Sequence, residues 1–267
     1  NEKLFRYTIL LLQHREKITM AGHSHWASIK RKKGAIDAKR GKIFSKLAKA
    51  VTSAARQGGG NPDMNLKLQY AIDAAKAENM PKDNIERAIL KGTGELGGDS
   101  ELYECLYEGY GPSGIAIIIE ILTDNKNRTA SEIRKIFDKF GGNLGESGCV
   151  AWLFQKKGLI TVMVEEISED KLMTLVLDAG GEDLEIIDDK YQIICDLKDF
   201  NSLRNMLQEN KIKTDHEAIS WIPMNSIELN EDNAKKIVSL MEALENHDDV
   251  QNAYANFTLP EELLTKL

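Results

Sequence analysis

The chain predicts an α+β multidomain protein: a basic three-helix bundle at the N-terminal end, followed by two α/β domains, the second inserted in the first. Three observations lead there. Residues 37–91 carry helical periodicity, the Gly-rich stretch 93–100 (TGELGGDS) interrupts it, and beyond that stretch short strands alternate with helices. At 267 residues, 42% hydrophobic and 29% charged, the chain has the length and make-up of two or three ordinary globular domains.

In the N-terminal part, 37–57 is the clearest amphipathic helix. At about 100° per residue, Phe44, Leu47, Ala48, Val51 and Ala55 share one face, and Lys39, Lys42, Lys46, Lys49 and Arg56 form a stripe opposite, with Arg40 off it. Gly58-Gly59-Gly60 ends this helix. Asn61 as N-cap and Pro62 at the first helical position predict a second helix toward Asn79. Met80-Pro81 breaks it, and a third helix over 81–91 buries Ile85, Ala88 and Ile89 before Gly92 stops it.

After the linker, 102–109 and 115–122 read as strands joined by a Gly/Pro turn, 128–140 as a helix and 149–154 as a strand. Strand 159–164, helix 168–179, strands 184–187 and 192–195, helix 200–210 and strand 217–222 then follow in β-α-β-β-α-β order. A strand at 227–229, a helix at 231–246 and a strand at 250–257 complete the chain. Two ferredoxin-like sandwiches explain this order economically. The expected domains are an extension at 1–19 read as disordered, a basic helical domain at 20–95, a split α/β domain at 96–157 and 223–267, and the inserted domain at 158–222.

Charge is the strongest functional signal. The net charge of −7 conceals 15 Lys+Arg against 7 Asp+Glu over 20–95, a net of +8, and 16 against 33 over 96–267, a net of −17; the first nineteen residues add +2. A basic head on an acidic body points to a polyanion partner for the head. Between Gly22 and Lys49 stand Lys30, Arg31, Lys32, Lys33, Lys39, Arg40, Lys42, Lys46 and Lys49 with Asp37 as the single acid. Each such side chain that neutralises a phosphate releases counterions and adds salt-dependent affinity. Trp26 suits stacking on an unpaired base or packing on the bundle, and His23 belongs to the same arm. Lys126 and Arg128, in the strand-to-helix loop 124–129, read as part of a capped turn or as a secondary contact. Like-charge repulsion would keep the acidic body away from the polyanion and leave the head as its docking face.

Enzymatic chemistry finds no support. Gly109-Tyr110-Gly111-Pro112-Ser113-Gly114 matches GxGxxG, but a strand and not a helix follows, so it reads as a hairpin turn and no dinucleotide is expected. No Walker loop or GxSxG is present. His23 and His25 lack further ligands nearby, Asp215-His216-Glu217 reads as a solvated turn, and the pairs Glu165-Glu166, Asp188-Asp189 and Asp248-Asp249 read as wet loops. Neither metal nor cofactor is predicted. Cys105, Cys149 and Cys195 stand far apart, which fits reduced, buried thiols and a cytoplasmic protein. The apolar run 7–12 is too short to cross a bilayer.

Several segments in register carry a resemblance: MAGHSHWASIK from Met20, DAKRGKIFSKL from Asp37, GGGNPD from Gly58, NMPKDNIERAI from Asn79, YEGYGPSG from Tyr107 and TDNKNRT from Thr123. Together they resemble the YebC family, from about Met20 to the C-terminus, with His25 standing where lysine is expected. The resemblance implies a three-helix domain followed by two α/β domains, and a cytoplasmic regulatory protein that binds DNA and controls transcription. Its alternative implication is a ribosome-associated translation factor that relieves stalling at proline runs and binds ribosomal RNA, as in the family's mitochondrial translational activator. The residues themselves also leave open a protein–protein adaptor, the basic head docking an acidic partner, and a hydrolase in a cleft between the α/β domains.

Overall fold

The computed structural model describes Trp26 and residues 37–97, 101–187, 189–260 and 263; of 37–40 it describes the backbone alone. These residues form two compact units. One holds residues 26–150, 228–255 and 259–263, and the other 151–227 and 256–258.

The head is built from α1 (Asp37–Gly58), α2 (Leu66–Ala77) and α3 (Lys82–Gly92). Val51, Ala54 and Ala55 of α1 close a core with Leu68, Ile72 and Ala75 of α2 and Met80, Ile85 and Ala88, with Phe44, Leu47, Ala48 and Ile89 at its edge. Every member of that core is a head residue. Alanines on α1 allow close approach, and Thr52 Oγ1 donates to the Ala88 carbonyl at 3.0 Å. Gly59 ends α1 at φ +85°, a conformation costly for a residue with a Cβ.

Helix α2 starts later than Asn61 and Pro62 suggest. Asn61 instead makes an Asx turn, its side chain accepting from the Asp63 N–H at 3.0 Å. The N-cap is Asn65, buried between two helix ends. Its Oδ1 accepts from the Leu68 N–H at 3.1 Å, while its Nδ2 donates to the carbonyls of Ala54 and Gly59, both at 2.8 Å. One amide thereby satisfies orphan groups at the end of α1 and the start of α2.

The split domain pairs strands in the order β3-β1-β2-β9, from β1 (Tyr103–Tyr110), β2 (Ala116–Thr123), β3 (Asn143–Leu144) and β9 (Val250–Ala255), all antiparallel. Helix α4 (Lys126–Lys139) follows β2, and α7 (Glu231–Glu245) precedes β9. Strand β2, reading AIIIEILT, is buried along nearly its whole length, as its central place requires. The expected ferredoxin-like order does not hold for this domain. Here β1 and β2 form a direct hairpin with no helix between them, so the pattern is not β-α-β-β-α-β.

The GxGxxG sequence is that hairpin's turn. A Cβ at Gly109 would lie 2.6 Å from the Asn143 carbonyl oxygen and 2.9 Å from the Phe137 ring, and one at Gly111 would lie 2.7 Å from Ile237 Cδ1. These glycines serve packing under α4 and α7.

The other unit has the predicted β-α-β-β-α-β order: β4 (Phe154–Met163), α5 (Glu169–Asp178), β5 (Gly181–Ile187), β6 (Lys190–Cys195), α6 (Phe200–Glu209) and β7 (Thr214–Pro223), in one antiparallel sheet ordered β5-β6-β4-β7. Short strands β8 (Ile227–Glu228) and β10 (Phe257–Thr258) pair with each other. The strand expected over 149–154 is absent. A 3₁₀ turn occupies Ala151–Leu153, and β4 starts at Phe154. His216, expected in a solvated turn, lies within β7 opposite Thr161. Among the described residues no helix is long and apolar enough to cross a membrane.

Candidate nucleic-acid interface

The amphipathic α1 sets the geometry of the basic stripe. With its apolar face spent on α2 and α3, the residues at i, i+4 and i+7 from Lys42 point the other way. They do not end in open solvent. Lys42 Nζ donates to the Asn246 carbonyl at 3.1 Å and lies 3.6 Å from Asp248 Oδ1. Lys46 Nζ donates to the Glu245 carbonyl. Lys49 Nζ donates to the Asp248 carbonyl at 3.3 Å and to Asp249 Oδ1 at 2.8 Å. Glu245 is the last residue of α7 and Asn246 its C-cap. Three ammonium groups thus crowd the negative end of a helix dipole, where its last carbonyls lack intrahelical partners.

Asp249 is the centre of this arrangement. It is 3% exposed and accepts from Lys49, from Arg128 Nη2 at 2.7 Å, from Thr129 Oγ1 at 2.8 Å and from Thr123 Oγ1 at 3.2 Å. Burial alone would raise its carboxyl pKa; the hydrogen bonds from Lys49, Arg128 and Thr129 outweigh burial and hold it well below the usual carboxylate range. Reading Asp248-Asp249 as a wet loop therefore fails for Asp249. It is the buried counter-charge of the head. Asp248 is exposed, as expected, yet pairs with Lys42.

A second polar joint lies at Glu104 on β1. Its carboxylate accepts from Lys67 Nζ at 2.6 Å, from Ser53 Oγ at 3.0 Å and from Gln57 Nε2 at 3.1 Å. Burial works to raise its pKa, but Lys67, Ser53 and Gln57 together bring it down.

Trp26 is 2% exposed, and its Nε1 donates to Glu245 Oε1 at 2.8 Å. It packs, leaving no face for a base. Arg128 is turned inward to Asp249 and to Asp124 at 2.9 Å. Its loop is the capped turn, with Asn125 Oδ1 accepting from the Arg128 N–H at 3.0 Å. Lys126 lies over the Tyr103 ring, 4.4 Å from its centroid. Arg56 sits in the last turn of α1. His23, Lys30, Arg31, Lys32 and Lys33, and the side chains of Lys39 and Arg40, lie outside the described residues.

Glu132, His247 and Asp249 bring ligand-type atoms within 4.8 Å of one another. They are already joined to one another by hydrogen bonds. His247 Nδ1 accepts from the Asp249 N–H at 3.1 Å, and its Nε2 meets Glu132 Oε2 at 2.9 Å. A divalent cation here would face both Lys49 and Arg128, so the donor set does not favour a metal. Cys195 is buried and its thiol is pushed up to about 12 by burial, whereas Cys105 and Cys149 are half-buried. Glu108 escaped the sequence reading. It is 3% exposed and accepts from the backbone N–H groups of Gly148, at 2.7 Å, and Val150, at 2.8 Å.

Residues 24–95 match the model of the TACO1/YebC protein N-terminal domain, and residues 102–257 that of the TACO1/YebC second and third domain. The chain belongs to the TACO1/YebC family. The gap between the two TACO1/YebC matches falls on the Gly-rich stretch that separates head from strands. A protein of Syntrophus aciditrophicus named "Probable transcriptional regulatory protein" is 53% identical over 248 residues, 93% of this chain and 99% of that protein. One of the same name from Dictyoglomus turgidum is 50% identical over 249 residues, covering 93% and 100%. The crystal structure of a conserved hypothetical protein of Aquifex aeolicus superposes with a TM-score of 0.78 at 43% identity, covering 86% of this chain and 95% of that one.

Proposed function

We propose that this TACO1/YebC chain is a cytoplasmic, non-enzymatic regulator of gene expression that binds nucleic acid through its basic N-terminal segment, DNA being the favoured target. The relatives named as transcriptional regulatory proteins support the regulatory role. One observation carries the binding claim. Six basic residues against one acid fill positions 22–40, ahead of the part of α1 whose lysines are engaged by the chain's own acidic turn. Lys30, Arg31, Lys32, Lys33, Lys39 and Arg40 are then the first contacts for phosphate, and Lys42, Lys46 and Lys49 are secondary. Backbone contacts of this kind fix position and carry no sequence readout.

Gel-shift titration of a DNA duplex and a structured RNA tests it. Four phosphate contacts predict an affinity loss of ~150-fold between 50 and 200 mM salt. Reversing charge at Lys30–Lys33 should abolish most of the binding. Salt-insensitive binding, or no effect of that reversal, refutes the proposal. Sedimentation of the cellular protein with and without nuclease separates the targets: co-migration with ribosomal particles replaces DNA by ribosomal RNA.

A further inference from the structure

The head has a core of its own, and the hydrogen bonds and ion pairs that join it to the split domain among the described residues run from Lys42, Lys46, Lys49, Ser53, Gln57 and Lys67 to the 245–249 turn and Glu104, beside the buried ring of Trp26. The turn offers the stripe a row of oxygens, the carbonyls of Glu245, Asn246 and Asp248 and the carboxylates of Asp248 and Asp249. That is the chemistry of a polyanion backbone, presented at the pitch of alternate lysines on a helix. The Lys42 and Asp248 side chains keep 53% and 73% of their exposure, so water and salt reach the outer pair.

Resting on the nucleic-acid reading above, we propose that the Lys42/Lys46/Lys49 face is a second phosphate-backbone site, occupied in this structure by the chain's own 245–249 turn. Nucleic acid held by the 30–40 segment competes with that turn, and the head separates from α7 as the three ammonium groups change partners. Trp26 ties the two events together, because its indole holds Glu245 and it lies four residues ahead of Lys30. Exposed pairs of the Lys42–Asp248 kind are weak and salt-screened, whereas a duplex presents several phosphates at once. Those phosphates must also outweigh the buried Lys49–Asp249 pair.

Carbodiimide coupling of the full chain reads the closed state, since it condenses the Lys42 amine with the Asp248 carboxylate into an amide with loss of water. Mass spectrometry counts the product. Heparin and a DNA duplex, each at saturating concentration, should suppress it severalfold at constant ionic strength. Asp248→Asn should bind the duplex about 1.5- to 5-fold more tightly than a charge-matched control, Asp138→Asn, which is what one exposed ion pair is worth. Adding Lys42→Gln should remove that gain. An undiminished Lys42–Asp248 amide with duplex bound overturns the inference and leaves the function standing, as does equal affinity of the two Asn variants. Suppression by heparin with no duplex binding at any salt supports the face and overturns nucleic acid as its ligand. Circular dichroism of each variant confirms that it is folded.

Discussion

Replacing Asp249 with asparagine tests how firmly the head is tied. Asparagine keeps the shape and one acceptor oxygen, so the hydroxyls of Thr123 and Thr129 retain a partner; the lost interactions are the charge-assisted bonds from Lys49 and Arg128. Two such bonds are worth about 1.5–3 kcal/mol each when fully buried. The Lys49 and Arg128 side chains are 30% and 44% exposed, and water recovers part of that. The net cost is then ~2–3 kcal/mol, a fall in melting temperature of roughly 5–10 °C for a unit of this size. The pH dependence has a definite sign. A carboxyl whose folded pKa is depressed stabilises the fold above its unfolded value near 4 and loses that contribution as pH falls. Differential scanning calorimetry of wild type and Asp249→Asn should show a wide gap at pH 7 that narrows steadily between pH 5 and 3. A gap under about 2 °C at pH 7, or one that widens in acid, refutes the assignment of Asp249 as the buried counter-charge. A cycle with Lys49→Met should give a coupling of at least ~0.5 kcal/mol.

Glu108→Gln leaves two N–H donors, the buried one of Val150 and the more exposed one of Gly148, facing one acceptor; a loss of about 1–3 kcal/mol and faster amide exchange at both positions are expected. Trp26→Phe keeps the ring buried but removes the bond to Glu245, for a loss of ~1 kcal/mol by denaturant titration. Iodoacetamide at pH 8 should leave Cys195 unmodified in the folded protein and alkylate it after denaturation, checked by peptide mass mapping, because burial holds its thiol up at about 12.

Local rules carried the reading of the elements well where periodicity was strong. The stripe and apolar face of α1, the hairpin at 109–114 and the order of elements over 154–223 were all legible in the residues. Failures came where two local signals competed. Asn61-Pro62 and Asn65 both suit a helix start, and the choice fell to Asn65 because only its amide also reaches the end of α1. The split domain looked ferredoxin-like because a chain interrupted by 70-odd residues gives no local sign of which strands become neighbours. The site was half visible. Lysines at helical spacing announce an anion, but not which one. Lys49 and Asp249 are 200 positions apart, so nothing local couples them. What signal there was lay in complementarity: a +8 segment and a −17 segment in one chain, with two aspartates at a helix end. Those charges suggested repulsion of a third party, whereas part of the head's charge is spent on the body.

That separation along the chain also has a consequence in time. Lys46 and its acceptor Glu245 are 199 residues apart, so a ribosome adding about 5–20 residues per second makes the stripe some 10–40 s before its internal partner exists. Throughout that interval every newly made head carries Lys42, Lys46 and Lys49 beside the ribosome's own RNA with the 245–249 turn still to be made. Pairing of the stripe with the 245–249 turn is therefore a race between completion of that turn and whatever polyanion has already arrived.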